Sequence, residues 1–159
     1  MKSVVKSLLA LSVALGSFGA NATDAEFDVM LTLLEPITIT NVSPLDFGVH
    51  VGGEFKDISV EPSSSSAAVF NATGMANKTA SVSVVEKSIE LTTGDGATAD
   101  KQITVDNFTY GGAITSSNQV TFDAAGAAND LRVGASAIVQ EGDIGGEYEG
   151  TATLRVTYL

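Results

Sequence analysis

The sequence contains no cysteine and no tryptophan, and only 3 prolines, 3 tyrosines and 1 histidine. Without thiols there is no disulfide, no thiolate metal site and no lipid-anchor cysteine, so stability must come from a packed core. His50 has no second imidazole with which to share a metal or complete a nucleophilic relay, and it reads as a surface or strand-end residue. Cations are also scarce, with 8 Lys and Arg against 19 Asp and Glu for a net charge of −11. Two of those cations, Lys2 and Lys6, lie ahead of residue 23 while every acid lies after it, which takes the remainder from −11 to −13. A surface of that sign repels phosphate backbones and anionic lipid heads, so nucleic-acid and membrane-surface partners are not expected.

Long apolar runs are confined to the start. MKSVVKSLLALSVALGSFGANA has two lysines, an apolar run from Leu8 and small residues at Ala20 and Ala22. This pattern predicts a secretory signal peptide over residues 1–22, cleaved before Thr23. No later run approaches bilayer length, so no membrane insertion is expected. Residues 23–159 suit one domain with a core of its own.

No helical periodicity is sustained past residue 24, whereas period-two alternation recurs throughout, so the chain reads as all-β. The expected strands are 25–34, 37–42, 67–72, 80–85, 88–91, 103–108, 120–122, 131–139 and 147–158. Between them lie VGGE at 51–54, EPSSSS at 61–66, TGDGATAD at 93–100, YGGA at 110–113 and GDIGGE at 142–147. Short strands between Gly, Ser, Asn and Asp turns indicate a sandwich or barrel. The shortage of aromatics argues against an outer-membrane barrel, which needs aromatic girdles at both interfaces.

Candidate chemistry is thin. Glu147 and Glu149 flank Tyr148 at the spacing that puts both on one solvent-facing side of a strand. Asp95 with Asp100, and Glu141 with Asp143 and Glu147, make oxygen-rich loops, but neither matches a calcium-loop pattern and both read as solvated turns. Asn41, Asn71, Asn77 and Asn107 each precede Ser or Thr by two positions, and in a chain so rich in those residues the matches read as compositional. No catalytic residue, cofactor or metal site is assigned, and no enzyme is expected.

The two ends carry the clearest patterns. In GGEYEGTATLRVTYL, Tyr148, Gly150, Ala152, Leu154, Val156 and Tyr158 share one parity, and Glu147, Glu149, Thr151, Thr153, Arg155 and Thr157 the other, as a strand lining a core requires. AEFDVMLTLLEP, residues 25–36, places Ala25, Phe27, Val29, Leu31 and Leu33 on one face and ends at Pro36, which cannot donate to a ladder. Alternation alone fits both a first strand paired within its own domain and a strand donated to another copy.

The C-terminal segment, with Gly146 fourteenth from the end and Tyr158 penultimate, resembles the ends of chaperone-usher pilin subunits. It looks most like the cysteine-free subunits of the alternative, coli-surface-antigen-like branch. PLDFG at 44–48, FNATG at 70–74, ITVDNFTYGG, and LRVGASAIV ahead of the G-x-Y-x-G segment resemble a widespread bacterial family known only as a domain of unknown function and thought to share the pilin-like sandwich. The match departs at Gly134 and Ala135, where relatives often carry a glycine pair, so the expected turn there is altered.

The resemblance implies an immunoglobulin-like, pilin-type β-sandwich over 36–159, incomplete in its own chain. The groove would lie beside Gly146, Tyr148, Leu154, Val156 and Tyr158, and residues 23–35 would be a donor-strand extension. A periplasmic chaperone would fill the groove first and the extension of the next subunit would replace it at an outer-membrane usher, by addition of a strand to an exposed sheet edge. Burying Phe27, Val29, Leu31 and Leu33 at about 1.5–3 kcal/mol each gives roughly 6–12 kcal/mol before ordering costs, against a typical domain stability of about 5–15 kcal/mol. The implied protein is a homopolymeric fimbrial subunit, secreted through the periplasm to the cell surface and supporting adhesion or biofilm formation. The alternative is a monomeric secreted sandwich that binds a carbohydrate or host protein.

Overall fold

The structure is a computed structural model that describes residues 23–159; the expected signal peptide lies outside the described residues. The chain divides between Thr32 and Leu33 into two units. Of the first, residues 23–32 are described, and they carry no assigned strand. The second, residues 33–159, is an all-β sandwich.

Its strands are β1 (Thr38–Ser43), β2 (Lys56–Val60), β3 (Ala68–Thr73), β4 (Thr79–Val84), β5 (Ile89–Thr92), β6 (Gln102–Gly112), β7 (Gln119–Thr121), β8 (Ala127–Val139) and β9 (Leu154–Tyr158), with one 3-10 turn at Ala99–Lys101. The larger sheet runs β1-β3-β8-β6-β5, with β2 also on β8, and the smaller runs β7-β4-β9. All ladders are antiparallel.

β8 organises the larger sheet. Its first half pairs with β3 up to Ala68↔Val133, and its second half with β2 from Val60↔Ala135. β2 and β3 are thus two pieces of one strand laid end to end, with residues 61–67 looped out at the junction. Gly134 faces that junction, where a Cβ would lie 2.9 Å from Pro62 N and from Thr109 Oγ1 and would run into the Val60 carbonyl. The altered turn expected at Gly134 and Ala135 is therefore the middle of a buried strand, and glycine is needed for close backbone approach. Arg132 secures the loop, donating to the carbonyls of Ser64 at 3.1 Å and Pro62 at 3.5 Å.

Two bulges explain breaks in the alternation. In β6, Ile103 and Val105 face inward, but the next packed residues are Phe108 and Tyr110, one position out of phase. Asn107, at φ 51°, is the inserted residue, and the register shifts between Asp106 and Thr109. In β8, Asp130 at φ 61° separates Ala128 from Leu131 in the same way. A bulge adds one residue, and Asn and Asp tolerate the left-handed conformation that it needs.

The sheets pack over only part of the larger one. One cluster joins Ala72, Ala128 and Leu131 of the larger sheet to Ala80, Val82, Val120 and Phe122 of the smaller sheet side. The other half, Ile58, Ile103, Val105, Ala135, Ala137 and Val139, is capped by Leu45, Phe47 and Tyr148 from connecting segments. Leu45 and Phe47 come from PLDFG, whose Asp46 N–H bonds to Ser66 O at 2.9 Å and whose Asp46 carboxylate accepts the Gly48 N–H at 2.8 Å.

Three expectations are corrected. Residues 25–34 form no ladder in this chain, since residues 23–37 carry no assigned strand. β2 was not expected, because Ile58 and Val60 alone carry its apolar parity. The strand expected over 147–158 is broken. Glu149 pairs with Thr92 of β5 through bonds of 2.9 and 3.0 Å, and the chain then crosses to the smaller sheet, where β9 begins at Leu154. Gly150 makes the crossing, for a Cβ there would sit 3.0 Å from the Glu90 carbonyl and 2.8 Å from Leu91 Cδ2.

Candidate functional site: an open strand edge over a cleft

Among the described residues β9 pairs only with β4, in the register Val84↔Leu154, Val82↔Val156, Ala80↔Tyr158. The flanking bonds, Val85 N–H to Thr153 O at 2.9 Å and Leu159 N–H to Thr79 O at 3.2 Å, show which residues face β4. Antiparallel pairs alternate between bonded and non-bonded, so residues 153, 155, 157 and 159 direct their main-chain groups toward β4. The N–H and C=O of Leu154, Val156 and Tyr158 point the other way, along the open edge. Their side chains are half-buried against the core. One edge thus offers both backbone partners and apolar contact.

Two depressions adjoin β9, one at Val156–Tyr158 and the other at Leu154. A smaller one of about 420 Å³ is bounded by Leu34–Ile37 and Val156–Tyr158. The larger, about 1460 Å³, reaches from Asn41, Val84 and Leu154 across Phe70 and Phe108 to Phe47 and Tyr148. It occupies the part of the larger sheet that the smaller sheet does not cover.

Each tyrosine joins separate segments of the fold, and Tyr148 also lines the larger depression. Tyr158 donates to Glu35 O at 2.9 Å and accepts the Met75 N–H at 2.6 Å, with its ring tilted on Phe122 at a centroid distance of 5.9 Å. Gly74 leaves room for the Tyr158 hydroxyl, which a Cβ would meet at 2.5 Å. Tyr110 crosses from the larger sheet to accept the Val84 N–H at 2.8 Å. Tyr148 donates to the carbonyls of Ile144 at 2.9 Å and Asp100 at 3.0 Å. Burial, then the charges of Asp143 and Asp100, push its phenol above the ordinary value.

The expected groove residues are therefore divided. Leu154, Val156 and Tyr158 share β9, Tyr148 caps the second cluster, and Gly146 packs against Thr93. Of the expected donor residues, Phe27 is 84 % and Leu31 83 % exposed, and Ala25, Val29 and Leu33 are exposed as well. Phe47, Phe70 and Phe108, which line the cleft, were not singled out from the sequence. The parity break between Val105 and Phe108 was the available signal for the last of them.

The polar loops hold together internally. Asp95 pairs with Lys101 at 2.6 Å and accepts the Ala97 N–H at 3.3 Å. The Lys101 hydrogen bond holds the Asp95 carboxyl below its ordinary range and, reciprocally, raises the lysine. Asp143, 8 % exposed, accepts the Gln140 N–H at 2.7 Å. His50 approaches Phe47 O at 2.7 Å and Lys56 Nζ at 3.1 Å, both at the surface. Among the described residues no three His, Asp or Glu side chains gather in a metal-binding group. At the start of β9, Glu86 accepts the Thr153 N–H at 2.8 Å, and that bond holds its carboxyl below the ordinary range.

Fold and site together define an all-β sandwich domain with an open strand edge beside a cleft of mixed polar and apolar lining. The chain belongs to the family described as Domain of unknown function (DUF4402), which matches residues 37–158. No curated protein and no solved structure matches it.

Proposed function

We propose that the chain is a structural subunit of a bacterial surface fimbria. It is held by a periplasmic chaperone, passed to an outer-membrane usher, and polymerised when residues 25–33 of one copy add as a strand beside β9 of the next. The observation that carries this reading is the open edge of β9, with Leu154, Val156 and Tyr158 presenting main-chain groups outward and side chains packed against the core. Exposed edges are templates for strand addition, and proteins ordinarily blunt or cover them. The occupant is argued from the alternating Phe27, Val29, Leu31 and Leu33. The nine residues 25–33 at about 3.3 Å apiece reach roughly 30 Å, longer than the 5-residue β9 beside which they add. A monomeric module that binds a carbohydrate or host protein would use the same cleft.

The test removes residues 23–34 and, separately, fuses a second copy of them after Leu159 through a flexible linker. The deletion is expected to leave a subunit that no longer assembles, and the fusion to give a monomer more stable to urea. A deletion that simply unfolds a protein already monomeric, with a fusion that adds nothing, overturns the reading.

A further inference from the structure

We propose that Arg155 selects the register of the incoming strand by pairing, across copies, with Asp28. The inference rests on the donor-strand reading above. It starts from charge distribution. An acidic chain that polymerises brings like charges together, and the donor stretch is itself acidic, with Asp24, Glu26 and Asp28 all of the parity opposite to Phe27 and Val29. When the apolar face enters the cleft, those acids lie on the outer face of the smaller sheet. The strands of that face carry no acid, since β4 (TASVSV), β7 (QVT) and β9 (LRVTY) contain no Asp or Glu. The single charge carried by its strands is Arg155, exposed on β9 opposite Ser83.

Arg155 makes no ion pair in its own chain among the described residues, where the ion pairs are Lys101 with Asp95 and Arg132 with Asp130. Glu86, the nearest acid in sequence to β4, accepts the Thr153 N–H, and the Arg155 charge adds to that bond in holding its carboxyl below the ordinary range. Arg155 is flanked by Leu154 and Val156, two half-buried inward positions of β9. Placing Asp28 opposite Arg155 sets Phe27 and Val29 against that pair in either strand direction. Placing Glu26 there puts Ala25 at one of them, and placing Met30 there abandons the charge pair. Burial disfavours the Glu26 register and charge the Met30 register, which leaves Asp28 opposite Arg155, with Glu26 a diagonal neighbour.

The test uses full-length mature chains and sedimentation velocity. Arg155→Glu alone and Asp28→Lys alone are each expected to weaken self-association roughly three- to tenfold at low salt, with the difference shrinking as salt screens the pair. An equimolar mixture of the two variants should regain wild-type association, because each junction then joins opposite charges. Glu26→Lys should have the smaller effect. Wild-type-like assembly of Arg155→Glu, or a Glu26→Lys defect larger than that of Asp28→Lys, overturns the pairing while leaving strand donation intact. Recovery in the Asp28→Lys, Arg155→Glu double variant but not in the mixture overturns pairing between copies. A wild-type chain that never associates overturns the donor-strand reading itself.

Discussion

The hydroxyl of Tyr158 donates to the carbonyl of Glu35 at 2.9 Å, joining the last strand to the residue just before Pro36. The same oxygen accepts the Met75 N–H at 2.6 Å, so one atom ties β9, the β3–β4 turn and the start of the domain. Tyr158→Phe keeps the ring on Phe122 and removes both bonds. It should lower stability by about 1–3 kcal/mol, because a partly buried N–H and a carbonyl are left unmatched. Urea denaturation measures the loss, and hydrogen exchange at the Met75 amide locates it; unchanged protection there would refute the assignment.

Gly134 is the point where β8 changes partner. Gly134→Ala forces Val60 and Pro62 backbone to move and should cost about 1–3 kcal/mol, the range for overpacking a well-filled interior. Gly142→Ala, where a Cβ meets nothing within 4 Å, is the matched control. It should change stability by no more than about 0.5 kcal/mol, and equal effects at the two sites would mean that the junction is looser than described.

Tyr148 makes stability pH-dependent on the alkaline side. Its phenol is raised by burial and by the Asp143 and Asp100 charges, so the folded state holds the proton longer than the unfolded one. The contribution is complete below the unfolded value of about 10 and is lost as pH rises from there through the folded value. Stability should therefore slope downward above about pH 10, and Tyr148→Phe should flatten the slope. A Tyr148→Phe chain with the wild-type slope would assign the effect elsewhere.

Much of the fold was legible because period-two alternation is local. β1, β3, β4, β5 and β7 fall within one or two residues of their expected positions. The misses have a common cause. β2 carries only Ile58 and Val60, and its pairing depends on β8, distant in sequence. β6 and β8 run past their expected starts or ends because the bulges at Asn107 and Asp130 shift the parity. The sequon-like pattern at Asn77 and Asn107 read as composition, whereas both residues sit at positive φ; the asparagine has a backbone reason that the triplet does not reveal.

By itself the sequence determined an all-β chain without thiols, strongly acidic, with apolar alternation at both ends, because composition and side-chain parity are properties of neighbouring residues. Tertiary structure decided that the C-terminal alternation is split between two sheets at Gly150, that β2 and β3 share one partner, and that β9 is left with an open edge. Those are matters of which strand lies beside which, and antiparallel pairing between distant segments is set by closure of the whole core rather than by any single stretch.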